Sequence, residues 1–172
     1  MTLNLKRKDF AEVLQFQKSQ EKVNWQKFIL KIPFMAAMPY HLVQDVSGTL
    51  NSQTFYANDV VYDVGYTNCD DLFFVESGKL QVQAKVTVTQ ETVIPVDKSL
   101  WEKTTKKTDV HYFIRQIDAG GFFGLEELVD IGLLKVQGKT EEAENVSRQL
   151  RVTTLTNCKL LFMTRKDFLR VF

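Results

Sequence analysis

The chain has 172 residues, 44% of them apolar and 25% charged, with a formal net charge of +1. That size and balance suit one globular domain with a single core and exclude a disordered, highly charged chain or nucleic-acid binding driven by overall charge. No apolar run approaches the length of a membrane span, and the basic N-terminus lacks the apolar stretch of a signal peptide. The charges are segregated: 1–31 and 148–172 are basic and 118–147 is acidic, the pattern of solvated faces or of docking surfaces.

Residues 1–23 open with Lys6-Arg7-Lys8 and then carry Phe10, Val13 and Leu14 at helical spacing, which predicts an amphipathic helix. Asn24 is placed to cap a second helix, whose Trp25, Phe28, Ile29 and Ile32 form one apolar stripe before Pro33 ends it. Pro39 starts another, with Leu42, Val43, Val46 and Leu50 on one face and Gly48 close to its end. From Thr54 the apolar period changes to two. Strands are expected at 54–56, 59–64, 72–76 and 79–88, the last alternating as Leu80, Val82, Ala84, Val86 and Val88. Residues 89–109 are polar and rich in Lys and Thr, and read as an inserted loop or a long hairpin, with Trp101 either pinning it to the body, the favoured reading, or offering a contact to a partner. An apolar strand, Val110 to Ile117, follows.

The next stretch is Asp118-Ala119-Gly120-Gly121-Phe122-Phe123-Gly124-Leu125-Glu126-Glu127-Leu128, a glycine turn that opens a short acidic helix. Residues 135–147 have almost no apolar content and are expected to be flexible. Leu150 to Met163 supplies closing strands, and Thr164 with Asp167 makes a near capping box ahead of Phe168, Leu169 and Phe172. Short strands separated by Gly, Asn and Asp turns predict a mainly β fold, an antiparallel jelly-roll barrel with flanking helices. Its expected core is Phe55, Val61, Phe73, Val75, Leu80, Val82, Phe113, Ile117, Phe123, Val152, Leu155, Leu160 and Phe162.

Glycines before a helix start leave backbone N–H groups approachable, which is how a phosphate is held without a metal, and Arg148 is the fixed charge such a cradle needs. On local grammar alone the same residues are a tight turn between strands. Catalysis has little to stand on. His41 and His111 are isolated, with His111 expected as a hydrogen-bonded strand residue, and no serine or cysteine has a base in any motif. Cys69 and Cys158 have no zinc spacing, and Cys158 reads as a buried small hydrophobe, so no metal or cofactor is expected.

The surroundings of the glycine turn resemble the cyclic-nucleotide-binding domain of cAMP- and cGMP-dependent kinase regulators and gated channels. Gly120, Gly121, Phe123 and Gly124 fit the turn of that family's phosphate-binding cassette. Arg148-Gln149-Leu150-Arg151-Val152-Thr153-Thr154 fits its phosphate arginine and the strand after it. Asp59 to Gly65 and Asp70 to Gly78 resemble its paired barrel strands, so the likeness spans roughly Trp25 to Phe172. It implies a barrel of about eight strands over 51–163 with insertions at 89–109 and 129–147, a helical segment at 1–50 packed on the barrel, and the start of a C-terminal helix at 164–172. Ligand-binding relatives continue into a further helix that closes over the base.

The resemblance implies a site of Gly120, Gly121, Phe123, Gly124, Leu125, Glu126, Glu127, Arg148 and Gln149, with cAMP or cGMP as ligand. Two departures weaken it. Leu125 stands where the family has the glutamate that binds the ribose hydroxyl, and residues 129–147 interrupt the cassette. The expected function is therefore a non-catalytic regulatory or scaffold module with weak or lost nucleotide binding, in a cytoplasmic assembly, a cytoskeletal one being an option, contacted through 1–31 and the insertions. The alternative is a working cAMP or cGMP sensor. In the scaffold reading Arg148 pairs with Glu126 or Glu127 or points to solvent, and Arg148→Ala changes stability only modestly. Neither reading involves nucleic acid.

Overall fold

The structure is a computed structural model that describes residues 7–67, 71–97 and 100–171, the side chains of 7–11, Pro95, Asp97, Leu100 and Trp101 excepted. The expectations for Lys6, Phe10, Cys69 and the Trp101 side chain lie outside these residues. The described residues open with one continuous helix, α1 (Arg7–Ile29), where two were expected. Asn24 does not act as a cap, because nothing before it breaks the helix and Trp25 continues the same turn. After α2 (Pro33–Ala36) and α3 (Tyr40–Thr49) the strands follow. They are β1 (Asn51–Phe55), β2 (Val60–Tyr62), β3 (Asp71–Ser77), β4 (Lys79–Asp97), β5 (Leu100–Asp118) and β6 (Phe122–Phe123). Two helices, α4 (Leu125–Val136) and α5 (Thr140–Glu144), precede β7 (Arg151–Thr154), β8 (Cys158–Thr164) and α6 (Arg165–Val171).

The strands form two antiparallel sheets ordered β1-β8-β3-β6 and β2-β7-β4-β5. The pairs β1–β8, β2–β7, β3–β6 and β4–β5 are nested like one long hairpin folded on itself, which is jelly-roll connectivity. The barrel is open, a sandwich of two sheets.

Strand alternation sorts the core into two. In β3, Phe73 and Val75 face the sandwich interior with Leu80, Val82, Ile117, Phe123, Val152 and Leu160. Leu72 and Phe74, one step out of phase, face the helices with Trp25, Ile29, Ile32, Val43, Leu161 and Met163. The strands β3 and β8 of the sheet β1-β8-β3-β6 are therefore buried on both sides, while β1 is largely exposed, and the single core expected from chain length is two cores back to back. Leu72, Phe74, Val75, Leu160, Leu161 and Met163 are all 0% exposed.

Two expected core residues are outside. Phe113 is 61% exposed and Leu155 38%. A bulge between Val82 and Gln83 shifts the β4–β5 register, so Phe113 pairs with the outward Gln83, and Leu155 falls after the end of β7. The insertion at 89–109 is the outer part of the β4–β5 hairpin, as the hairpin reading expected. The stretch 135–147, expected to be flexible, holds the end of α4 and all of α5, with Ala143 buried against Ile131, Leu134 and Val146. Cys158 is buried and packs as a small hydrophobe. Thr164 accepts from the Asp167 N–H at 3.3 Å and so caps α6.

Candidate functional site

The glycine turn is built by two backbone requirements. Gly120 (φ +90°) lets the chain reverse after β5, and its N–H donates to the Val75 carbonyl at 2.8 Å. Gly124 (φ +84°) starts α4 and lies against Arg148: a Cβ there would stand 2.9 Å from both Arg148 Nη1 and the Asp71 carbonyl oxygen. Between these glycines Phe123 pairs with Phe73 and stacks on it at 5.1 Å, while Phe122 turns to Phe34 of the helical layer at 4.8 Å. The short strand β6 thus ties the turn to both cores.

Arg148 precedes β7 outside any strand, held by its own backbone. Its N–H donates to the Tyr66 carbonyl at 2.9 Å, and its carbonyl accepts from Gly65 N–H at 2.8 Å. Its side chain is 1% exposed. Nη1 donates to Glu127 Oε2 at 2.9 Å and to the Gly124 carbonyl at 3.4 Å, and Nη2 donates to the Asp71 carbonyl at 2.8 Å. The guanidinium carbon lies 4.4 Å from the Tyr62 ring centroid, a cation–π distance. Glu127 is in the first turn of α4, where the helix dipole favours a carboxylate. The side chains of this ion pair are 1% and 9% exposed, so it is a buried pair rather than a surface one.

Beside this pair is a cavity of about 140 Å3 lined by Tyr62, Val82, Phe123, Gly124, Leu125 and Glu127, with Arg115, Phe122, Glu126 and Leu150 completing it. Pockets for small ligands usually reach about 300–1,000 Å3. Arg148 does not line this cavity but an adjoining one of about 340 Å3 with Tyr62, Tyr66, Asp71 and Phe73, and its guanidinium bonds Glu127 and the two carbonyls. Of the expected site residues, Phe123, Gly124, Leu125, Glu126 and Glu127 meet at the cavity. Gly120 and Gly121 line a neighbouring cleft, and Gln149 lines a groove beside α5. Tyr62 and Arg115 were not among the expected residues. Arg115 pairs with the buried Val82 across the β4–β5 bulge, so it reaches the cavity mouth; only the register reveals this.

No family model matches the sequence, and no curated protein matches it. Solved structures do. The regulatory domain of Toxoplasma gondii PKA, in a co-crystal with cAMP, superposes with a TM-score of 0.70 over 97% of this chain and 51% of that one, at 16% identity. The chain has the cyclic-nucleotide-binding-domain fold. A regulatory subunit of a cAMP-independent protein kinase A from Trypanosoma cruzi, bound to guanosine, matches with a TM-score of 0.62 over 97% of this chain and 47% of that one, at 14% identity. A mutant of the Trypanosoma brucei counterpart, bound to cAMP, matches with a TM-score of 0.64 over 97% and 48%, also at 14% identity. The chain spans about half the length of these structures. Among the described residues no helix is long and apolar enough to cross a membrane.

Proposed function

We propose that this cyclic-nucleotide-binding fold is a non-catalytic regulatory module whose phosphate arginine is held from within, so that it takes cAMP or cGMP weakly or not at all and works inside a protein assembly. The observation that carries this is the buried Glu127–Arg148 pair at 2.9 Å: a carboxylate of the same chain sits on the guanidinium a cyclic phosphate would need. An incoming phosphate must displace Glu127 and leave it buried without its partner, a cost of about 3–5 kcal/mol for breaking such a pair. Leu125, at the cavity, offers a ribose hydroxyl no acceptor. The outer half of α1, exposed from Glu12 to Asn24, and the two insertions are the surfaces left for protein partners.

The sensor reading rests on a separate observation. α4 begins at the cavity with no side-chain cap on its first N–H groups, so an anion that displaced Glu127 would find donors there. Calorimetric titration of the wild type, Glu127→Gln and Arg148→Ala with cAMP, cGMP and guanosine separates the two. We expect no binding by the wild type up to millimolar nucleotide, and gain of binding in Glu127→Gln. Tight wild-type binding that falls about 30-fold or more in Arg148→Ala, the roughly 2–5 kcal/mol of a charge-assisted contact, would establish the sensor instead.

A further inference from the structure

The helix α1 is docked only at its C-terminal end. Trp25 and Ile29 are buried in the helical core, whereas every residue from Glu12 to Asn24 is exposed. That free part runs for about three and a half turns with none of the domain packed on it. A helix of that length is marginal in water unless one of its faces is packed.

The free part is not polar all round. Val13, Phe16, Gln20, Val23 and Lys27 follow one another at three, four, three and four residues, the spacing that keeps a stripe on one side of a helix. At about 100° per residue this stripe points away from Trp25 and Ile29, and so away from the domain. Val13, Phe16 and Val23 on it are 50%, 64% and 45% exposed. Leu14, by contrast, lies on the side of Trp25. The stripe is bordered by Gln15, Gln17, Ser19, Asn24 and Gln26, none of them charged, while Lys18, Glu21 and Lys22 fall on the sides away from it. Among the described side chains of α1, its charges are Glu12 at one end and Lys27 at the other, and neither makes a salt bridge.

We propose that this stripe is an interface between copies of the chain, two α1 helices packing antiparallel about a twofold axis at the level of Lys18. In that register Val13 meets Val23 of the second copy and Phe16 packs on the aliphatic stem of its Gln20. Lys27 comes within a turn of its Glu12, and every contact occurs twice. Charge selects the occupant: a stripe that is acidic at one end, apolar along its middle and basic at the other end is complementary to itself reversed. A parallel pair would set Lys27 against Lys27 and leave Glu12 facing Gln17. The interface names the partner for one of the surfaces that the assembly reading leaves open, and it does not depend on whether the cavity takes a nucleotide.

Sedimentation equilibrium of the full chain tests this with Glu12→Lys, Lys27→Glu and the two combined. Each single reversal turns both end contacts from attraction to repulsion, while the combined chain restores them with the signs exchanged. We expect the wild type to dimerise, each single reversal to weaken the dimer at least about tenfold at low salt, and the combined chain to recover it. The melting temperature of the dilute chain should not change, because both positions are exposed. A wild type that stays monomeric up to millimolar concentration, a dimer indifferent to the single reversals, or a combined chain no tighter than the single ones would each overturn the interface. A monomeric wild type that also fails to bind nucleotide would leave the reading of the cavity standing, so the two can fail separately.

Discussion

Arg148 shows how one side chain can fit a sequence pattern and yet be held entirely by its own chain. Its spacing before Val152 and Thr153 was legible in the sequence, and so was Glu127 as one of two candidate partners; its burial was not. An exposed pair is worth little, which is why Arg148→Ala looked nearly neutral from sequence. At 1% and 9% exposure the pair behaves differently. Glu127→Ala leaves a guanidinium buried with two carbonyl partners and no counter-charge, and we expect it to lower stability by about 3–5 kcal/mol. Glu127→Gln, which keeps a hydrogen-bond acceptor, should cost clearly less. Chemical denaturation of both variants checks the order, and equal losses would mean that the charge alone, not the hydrogen bond, is what Glu127 supplies. At Gly124 the positive φ and the crowding by Arg148 and Asp71 both oppose a methyl group. Gly124→Ala is expected to lose at least about 1–3 kcal/mol from backbone strain alone, read as a drop in melting temperature.

At the scale of elements, the strands inside the sandwich announced themselves because alternation and burial agree there. Leu80 and Val82 alternate and are buried; Val86 and Val88 continue the same alternation and are not, so sequence alone could not tell where the sandwich stops and the free β4–β5 ribbon begins. Composition misled in the opposite direction at 135–147. A few apolar groups, Ala143 and Val146 against Ile131 and Leu134, are enough to seat α5 on α4, although most of the segment is polar. Phe113 was lost to a single bulge, since one extra residue reverses which side every later side chain takes. The ribbon's position makes its amides a direct readout. In β4, residues 80–83 have strands on both sides, whereas from Ala84 outward only β5 pairs with it. Hydrogen exchange of the isolated chain should therefore be slow at 80–83 and much faster from 84 to 94, local opening of the ribbon requiring no disruption of the core. Uniform protection along β4 would show that the ribbon is covered in solution.

The whole molecule is arranged around two neighbouring strands of one sheet that have no solvent face. β3 and β8 place Phe73, Val75 and Leu160 in the sandwich and Leu72, Phe74, Leu161 and Met163 under the helices, on alternate residues of the same strands. Neither core can be lost without exposing one side of that sheet, so the helical layer and the sandwich should unfold as one unit even though their side chains form separate clusters. Trp25, 8% exposed at the helix–sheet packing, reports on the first; far-UV circular dichroism is weighted toward backbone structure in both. In a Trp101→Phe background, which leaves Trp25 as the only tryptophan, urea transitions followed by the two signals should coincide. Ile29→Ala, in the helical core, and Val75→Ala, in the sandwich, should each move that shared midpoint down, Ile29→Ala by roughly 2–5 kcal/mol and Val75→Ala by somewhat less because fewer carbons are removed. If the helices were merely an appendage, Ile29→Ala would shift the Trp25 transition and leave the other in place. Separate midpoints in the wild type would have the same meaning, and the signal of a regulatory change could then pass through release of the helices without opening the sandwich.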